Sequence, residues 1–295
     1  MTLYTANGLL NAKKKNIAPK YGIALAYIEW YLIQAGKKPG KYKDCWLSSI
    51  PELNKRRAPG NTCLTALDAI YRGKEPLNNS KGCGGVMRIA PIPLYAAVDN
   101  RMDIQEADRL AADAAEITHL HPLGFIPAAL MSHIIYQLAL DEQPAQEALI
   151  QYIEDGLEEL DNLFPQHPQE VIQMRQLSDL AMQLAYNEKP DVLNIESLGG
   201  GWVGEEALVI AIYCAVRHFD NFEQALIAAV NHGGDSDSTG AVTGNILGAA
   251  IGYDAIPRHF KDNLELVEII LHMADDLYRG EVTEYRKYAA NNDLP

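Results

Sequence analysis

The sequence predicts an all-α protein, and three observations carry that prediction. Apolar residues recur at helical spacing through most of the chain, alternating strand patterns are nearly absent, and the connections between helical segments are short. Leu3, Ala6, Leu9 and Leu10 form a first apolar stripe, stopped by the basic run Lys13-Lys14-Lys15. Ile23, Tyr27 and Trp30 mark a second helix over residues 21–35. A polar, Gly- and Pro-punctuated connection fills 36–60, and 61–71 reads as a short helix closing at Gly73. Past a glycine loop at 82–85, helical patterns cover 86–98, 103–118, 123–140, 144–161 and 168–187. Residues 190–201 read as a second loop, followed by helices near 203–218, 221–231, 238–252 and 262–279. No internal repeat, low-complexity segment or interdomain linker interrupts this series, so 1–295 is expected to be a single domain.

Bulk properties narrow the partners. At 295 residues and 48% hydrophobic content, the chain can bury a sizeable core. Its net charge of −14 argues against a nucleic-acid partner, because a phosphate backbone needs basic patches. It leaves room for a phosphate-bearing small ligand, which needs only local donors or a metal. No basic-then-apolar signal sequence opens the chain, and no apolar run approaches the ~20 residues of a membrane span, so no membrane partner is expected. Cys45, Cys63, Cys83 and Cys214 are scattered without Cys-x-x-Cys spacing; neither a zinc site nor a disulfide framework is expected. A reducing cytoplasm is the simplest home, and a monomer the expected state.

The densest chemistry lies in Asn231-His-Gly-Gly-Asp-Ser-Asp-Ser-Thr-Gly240 and the apolar run after it, with glycines at 240, 244, 248 and 252. Asp-x-Asp-Ser supplies carboxylate and hydroxyl oxygens, the donors that hard cations such as Mg²⁺ require. Residues two apart on a regular helix point about 200° away from each other, so Asp235 and Asp237 converge only in the loop and first turn. The same run also suits plain N-capping. The glycine ladder predicts a bare stripe along a buried helix, where another backbone can approach.

Three other segments carry polar residues in suggestive places. In Ser80-Lys-Gly-Cys-Gly-Gly85, glycines open a helix, which suits either a tight turn or backbone N–H groups facing an anion. Cys83 has no histidine in a nucleophile pattern and reads as a small residue whose backbone faces the ligand, and Arg88 as a structural ion-pair partner. His119 and His121 stand at a helix junction, where a histidine either caps the preceding helix or serves a site. Glu205 and Glu206 read as helix-start carboxylates, with Trp202 packing where that helix begins and His232 holding or packing the acidic loop. Asp275-Asp276 and the stretch from Asp103 to Asp108 read as solvated helix faces.

The acidic loop and glycine ladder are very similar to the C-terminal signature of the ADP-ribosylglycohydrolases. Four further segments match in the same order: Met1-Thr-Leu-Tyr-Thr-Ala-Asn-Gly-Leu-Leu10, Ser80 to Pro91, Ile117-Thr-His-Leu-His-Pro122 and Gly199-Gly-Gly-Trp-Val-Gly-Glu-Glu-Ala-Leu208. The resemblance covers roughly the whole chain and implies a compact orthogonal multi-helix bundle of that family's type. It implies Mg²⁺, two ions in the family, with Asp235, Asp237 and Ser238 as metal ligands. It implies ADP-ribose or an ADP-ribosylated protein as partner, bound by Gly82, Cys83, Gly84, Gly85 and His119. In that family an acidic Thr-Asp-Asp-Thr-type motif stands directly before the segment matched by Met1-Thr-Leu, and supplies the rest of the metal site. The sequence begins at Met1 without it, so the resemblance implies an N-terminally incomplete member. The expected activity is Mg²⁺-dependent hydrolysis of the glycosidic bond between ADP-ribose and an acceptor, impaired in this form. Its alternative is a non-catalytic ADP-ribose-binding or structural protein on the same fold.

Overall fold

The structure, a computed structural model, describes residues 1–40, 45–283 and 285. Fourteen α-helices occur among the described residues. They are α1 (Thr2–Lys15), α2 (Pro19–Gln34), α3 (Asn61–Tyr71), α4 (Pro91–Ala97), α5 (Ile104–Glu116), α6 (Pro122–Leu140) and α7 (Gln146–Leu163), then α8 (Pro168–Leu184), α9 (Asp191–Leu198), α10 (Gly204–Arg217), α11 (Phe222–Val230), α12 (Ser236–Ala255), α13 (Arg258–Asp262) and α14 (Val267–Arg279). No strand forms among them, and the one isolated antiparallel bridge pairs Gly82 with Val203. The predicted all-α class is the observed one.

Two compact units divide the chain: residues 1–78 with 265–295, and residues 79–264. In the first, α1 and α2 form an antiparallel hairpin, with α3 against α2 and α14 against α1. Asn16 ends α1 in the left-handed conformation at φ 54°, and Pro19 opens α2 with its ring-fixed φ. Gly8 and Gly22 set the spacing of the hairpin: a Cβ on Gly8 would stand 2.8 Å from the Gly22 carbonyl oxygen. Asp276, in the last turns of α14, accepts hydrogen bonds from the backbone N–H and hydroxyl of Thr283 beyond the helix. Asp276 is buried, which corrects its reading as part of a solvated face.

In the second unit α6 and α10 are the core. α6 packs against α4, α5, α7, α8, α10 and α12, and α10 buries almost its whole length against α8, α11 and α12. The expectation that no apolar run approaches membrane length is corrected by α6, which is long and apolar enough. It is nevertheless the core helix of this unit, with 83% of its apolar window buried inside the protein. Asp103 caps α5 in a reciprocal capping box with Glu106. Asp108 on the same helix is buried against His133 Nδ1 at 2.8 Å, so this stretch is only partly a solvated face.

Residues 190–201 are not a loop. Pro190 and the glycines from 199 suggested one, yet they bracket a helix, with Pro190 at the N-cap of α9 and Gly199 ending it at φ 122°. The glycine ladder on α12 also departs from expectation. A Cβ on Gly240 would meet the Val230 side chain, one on Gly244 would reach Leu226, and those on Gly248 and Gly252 would meet nothing within 4 Å. No backbone lies along this stripe among the described residues, and Gly252 breaks the helix at φ 71°.

Candidate functional site

Asp235 is the N-cap residue of α12, with Asp237 and Ser238 in the first turn, as the two-residue spacing requires. The helix start therefore gathers these side chains. Ser238 Oγ donates to Asp235 Oδ2 at 2.9 Å. Asp237 is pushed above the ordinary carboxylate range, first by its hydrogen bond with Asp235, then by burial and the charge of Asp235. Two carboxylates close enough to contend for one proton make an environment that a divalent cation would relieve. The donors are all hard oxygens and fit Mg²⁺ in kind. They are two carboxylates and a hydroxyl; no group of three or more His, Cys, Asp or Glu side chains suited to a metal occurs among the described residues.

The loop before this helix is fixed from both sides. His232 Nδ1 accepts from the Gly234 N–H at 3.1 Å and Nε2 meets Thr239 Oγ1 at 3.0 Å, so His232 holds the acidic loop. On the other side, the Asp235 N–H donates to the Gly200 carbonyl at 2.7 Å. Gly234 permits that crossing, because a Cβ there would stand 2.0 Å from the Gly200 oxygen. Glu206 in turn accepts the N–H groups of Gly200 and Gly201, each at 3.1 Å.

The 80–85 loop is zipped to residues 202–204. The Cys83 N–H donates to the Trp202 carbonyl at 3.2 Å and the Gly204 N–H to the Lys81 carbonyl at 2.7 Å. Lys81 Nζ pairs with Glu205, whose carboxylate is buried. Glu205 therefore anchors the loop, beyond the helix-start role the sequence suggests. Trp202 does not pack the helix start as expected; it is 63% exposed. The expectation that the Cys83 backbone faces ligand is corrected as well, because its N–H is spent on Trp202. Its side chain instead points at the acidic turn: Sγ donates to Asp235 Oδ2 at 3.1 Å and lies 3.3 Å from Ser238 Oγ. Burial first, and then the hydrogen bond to Asp235, push the thiol up to about 12, so it stays protonated and is no nucleophile at neutral pH.

His119 stands behind the same loop, its Nε2 3.4 Å from where a Cβ on Gly82 would be. Burial, with the charge of Arg88, lowers its pKa to about 3, so the ring is neutral at physiological pH. Thr118 Oγ1 accepts from Arg88 Nη2 at 2.7 Å and is hydrogen-bonded to His119 Nδ1 at 2.8 Å. His121 caps the following helix rather than the preceding one as expected: its Nδ1 accepts the Leu123 N–H at the start of α6. Arg88 is structural: its Nη2 donates to Thr118 Oγ1 and to the Ala114 and Ala115 carbonyls at the end of α5.

The second unit thus brings together a glycine loop, a buried histidine and a two-aspartate helix start. The model of the ADP-ribosylglycohydrolase family matches residues 1–287, and the chain belongs to that family. It is 27% identical to ADP-ribosylhydrolase ARH3 of Gallus gallus over 237 residues, which are 71% of this chain and 59% of that protein. To ARH3 of Homo sapiens it is 28% identical over 236 residues, 72% and 60% of the two chains. The chain thus spans about three fifths of the length of these curated relatives. A solved ADP-ribosylglycohydrolase-related protein complex superimposes with a TM-score of 0.54 at 24% identity, over 88% of this chain and 81% of that one, which shows the fold.

Proposed function

We propose that this chain, acting as one functional domain, hydrolyses the glycosidic bond joining ADP-ribose to an acceptor, with Mg²⁺ as cofactor. The observation that carries the proposal is the meeting of Cys83 with Asp235 and Ser238, which brings two segments about 150 residues apart into contact. Asp235, Asp237 and Ser238 would hold the metal; Gly82, Cys83, Gly84, Gly85 and His119 would frame the substrate. Bound there, Mg²⁺ supplies a Lewis acid that grips hydroxyl oxygens and lowers the pKa of a water.

The protein's own groups do the rest. Carboxylates near the anomeric carbon would offset the oxocarbenium-like charge that develops during glycosidic cleavage. His119, neutral at physiological pH, would offer a ring nitrogen to the loop's ligand without carrying a charge of its own. The Lys81–Glu205 pair and the Trp202–Cys83 bond keep the loop from shifting, and such positioning preserves near-attack geometry.

The test is ADP-ribose release from ADP-ribosyl-arginine with and without Mg²⁺, using this chain and one extended upstream by an acidic Thr-Asp-Asp-type segment. Mg²⁺-dependent release that falls at least ~100-fold in Asp235→Ala supports the reading. Release unaffected by Asp235→Ala in both forms refutes it.

A further inference from the structure

The net charge of −14 conceals a segregation. Residues 1–78 hold thirteen Lys and Arg against five Asp and Glu, whereas the remaining 217 residues hold twelve against thirty-four. Even with its C-terminal stretch included, the first unit carries sixteen basic against twelve acidic residues, and the second nine against twenty-seven.

Within the first unit the structure gathers part of this excess at one corner, the C-terminal ends of α2 and α3. Gln34, in the last turn of α2, donates to the Lys55 carbonyl at 3.1 Å and accepts the Arg57 N–H at 2.9 Å, pinning the Lys55-Arg56-Arg57 loop beside Lys37 and Lys38. Lys37 Nζ lies 5.3 Å from the ring centre of Tyr31 and 5.5 Å from that of Tyr71, which brings in the end of α3 with Arg72 and Lys74. Seven basic side chains thus share this corner. Arg57 is paired with Glu265 and Arg72 with Asp68, but Lys38, Arg56 and Lys74 make no ion pair among the described residues and are exposed. A cleft of about 560 Å³ opens here, lined by Lys37, Lys38, Ser48 and Asn54 and by the backbone of Gly36 and Gly40.

Basic residues after a helix C-terminus also complement its dipole, and that accounts for Lys37, Lys38, Arg72 and Lys74. It does not account for Arg56 on a loop held in place by Gln34, nor for a cleft. Tyr71 adds a second kind of surface: the residue is 39% exposed, with Tyr31 tilted against its ring and the Lys37 ammonium beside it. Phosphate-binding cations next to a partly exposed aromatic side chain are what single-stranded nucleic acid uses, charge for the backbone and stacking for a base. An acidic protein needs the charge but not the ring.

We propose that this corner, formed by the ends of α2 and α3 and the 55–57 loop, docks single-stranded nucleic acid, with its phosphates along Lys38, Arg56 and Lys74 and a base on Tyr71. The inference stands apart from the hydrolase site and is tested without activity. Fluorescence anisotropy of a labelled oligothymidine of about fifteen nucleotides should show micromolar binding at ~50 mM salt. Three or four neutralised phosphates would give a log–log salt slope of about −2 to −3. Lys38→Glu with Lys74→Glu should weaken binding at least ~10-fold and flatten that slope. Lys13→Glu with Lys14→Glu makes the same charge change at the other end of the hairpin, about 24 Å along the 16 residues of α2, and should leave binding within ~2-fold. Tyr71→Ala should cost at least ~5-fold at an unchanged slope. Matched thermal melts establish that each variant is folded. Absent binding, equal losses in the two charge-reversed pairs, or full affinity in Tyr71→Ala would each overturn the proposal. Displacement by polyglutamate as effective as by unlabelled oligonucleotide would give the surface to acidic proteins instead.

Discussion

Gly234 and Gly248 lie fourteen residues apart, each in a glycine-rich setting, and the structure treats them oppositely. A Cβ on Gly234 would stand 2.0 Å from the Gly200 carbonyl oxygen, at the crossing that places Asp235; a Cβ on Gly248 would meet nothing within 4 Å. Periodic glycines on a helix suggest close backbone approach, but here the close approach is made by a glycine before the helix. What decides a glycine's role is the partner brought to it, and at Gly234 that partner comes from residues 199–201.

The sharpest way to break this contrast is Gly234→Ala. Backbone oxygen cannot give way as a flexible side chain can, so the two loops must separate. The expected cost is ~2–4 kcal/mol of stability, with at least ~10-fold weaker ADP-ribose binding. Chemical denaturation and calorimetric titration read the two effects, and near-wild-type values in both would show that the crossing tolerates a side chain.

A second effect sharpens the site side of the comparison through pH. His119 has its pKa lowered to about 3 in the folded chain, against an ordinary value near 6.5. Between those values the unfolded chain binds more protons, so stability rises with pH across that window and falls on acidification. Going from pH 7 to pH 5 should cost ~2 kcal/mol through this residue. Denaturation midpoints of wild type and His119→Gln compared at both pH values isolate it, and parallel losses in the two proteins would remove the assignment. The smallest effect is Gly248→Ala. A helix-interior glycine with open space should gain ~0.5–1 kcal/mol on replacement, and a loss of stability would mean that the stripe is covered after all.

Legibility in the sequence followed the range of the interactions. α3 was readable to the residue because Gly60 and Gly73 bound a local apolar pattern. α9 was missed because Pro190 and Gly199 mark a helix's ends as readily as a loop's. The convergence of Asp235, Asp237 and Ser238 followed from helix geometry over four residues. Cys83 against Asp235 and Lys81 against Glu205 were not legible, since their partners lie 152 and 124 residues away. Asp108 and Asp276 read as solvated in the sequence because periodicity sees neither His133 nor Thr283. The corner at α2 and α3 was invisible to a whole-chain charge, which averages two units of opposite excess.

The central claim, that the 80–85 loop and the 234–238 turn act as one site, is tested most directly by a double-mutant cycle. Mg²⁺-dependent ADP-ribose affinity would be measured for Cys83→Ala, Asp235→Ala, the pair and the wild type. One shared site predicts a coupling of ~1 kcal/mol or more, a departure from additivity of about fivefold. Losses that add within ~0.3–0.5 kcal/mol would contradict it, leaving two loops that touch without working together.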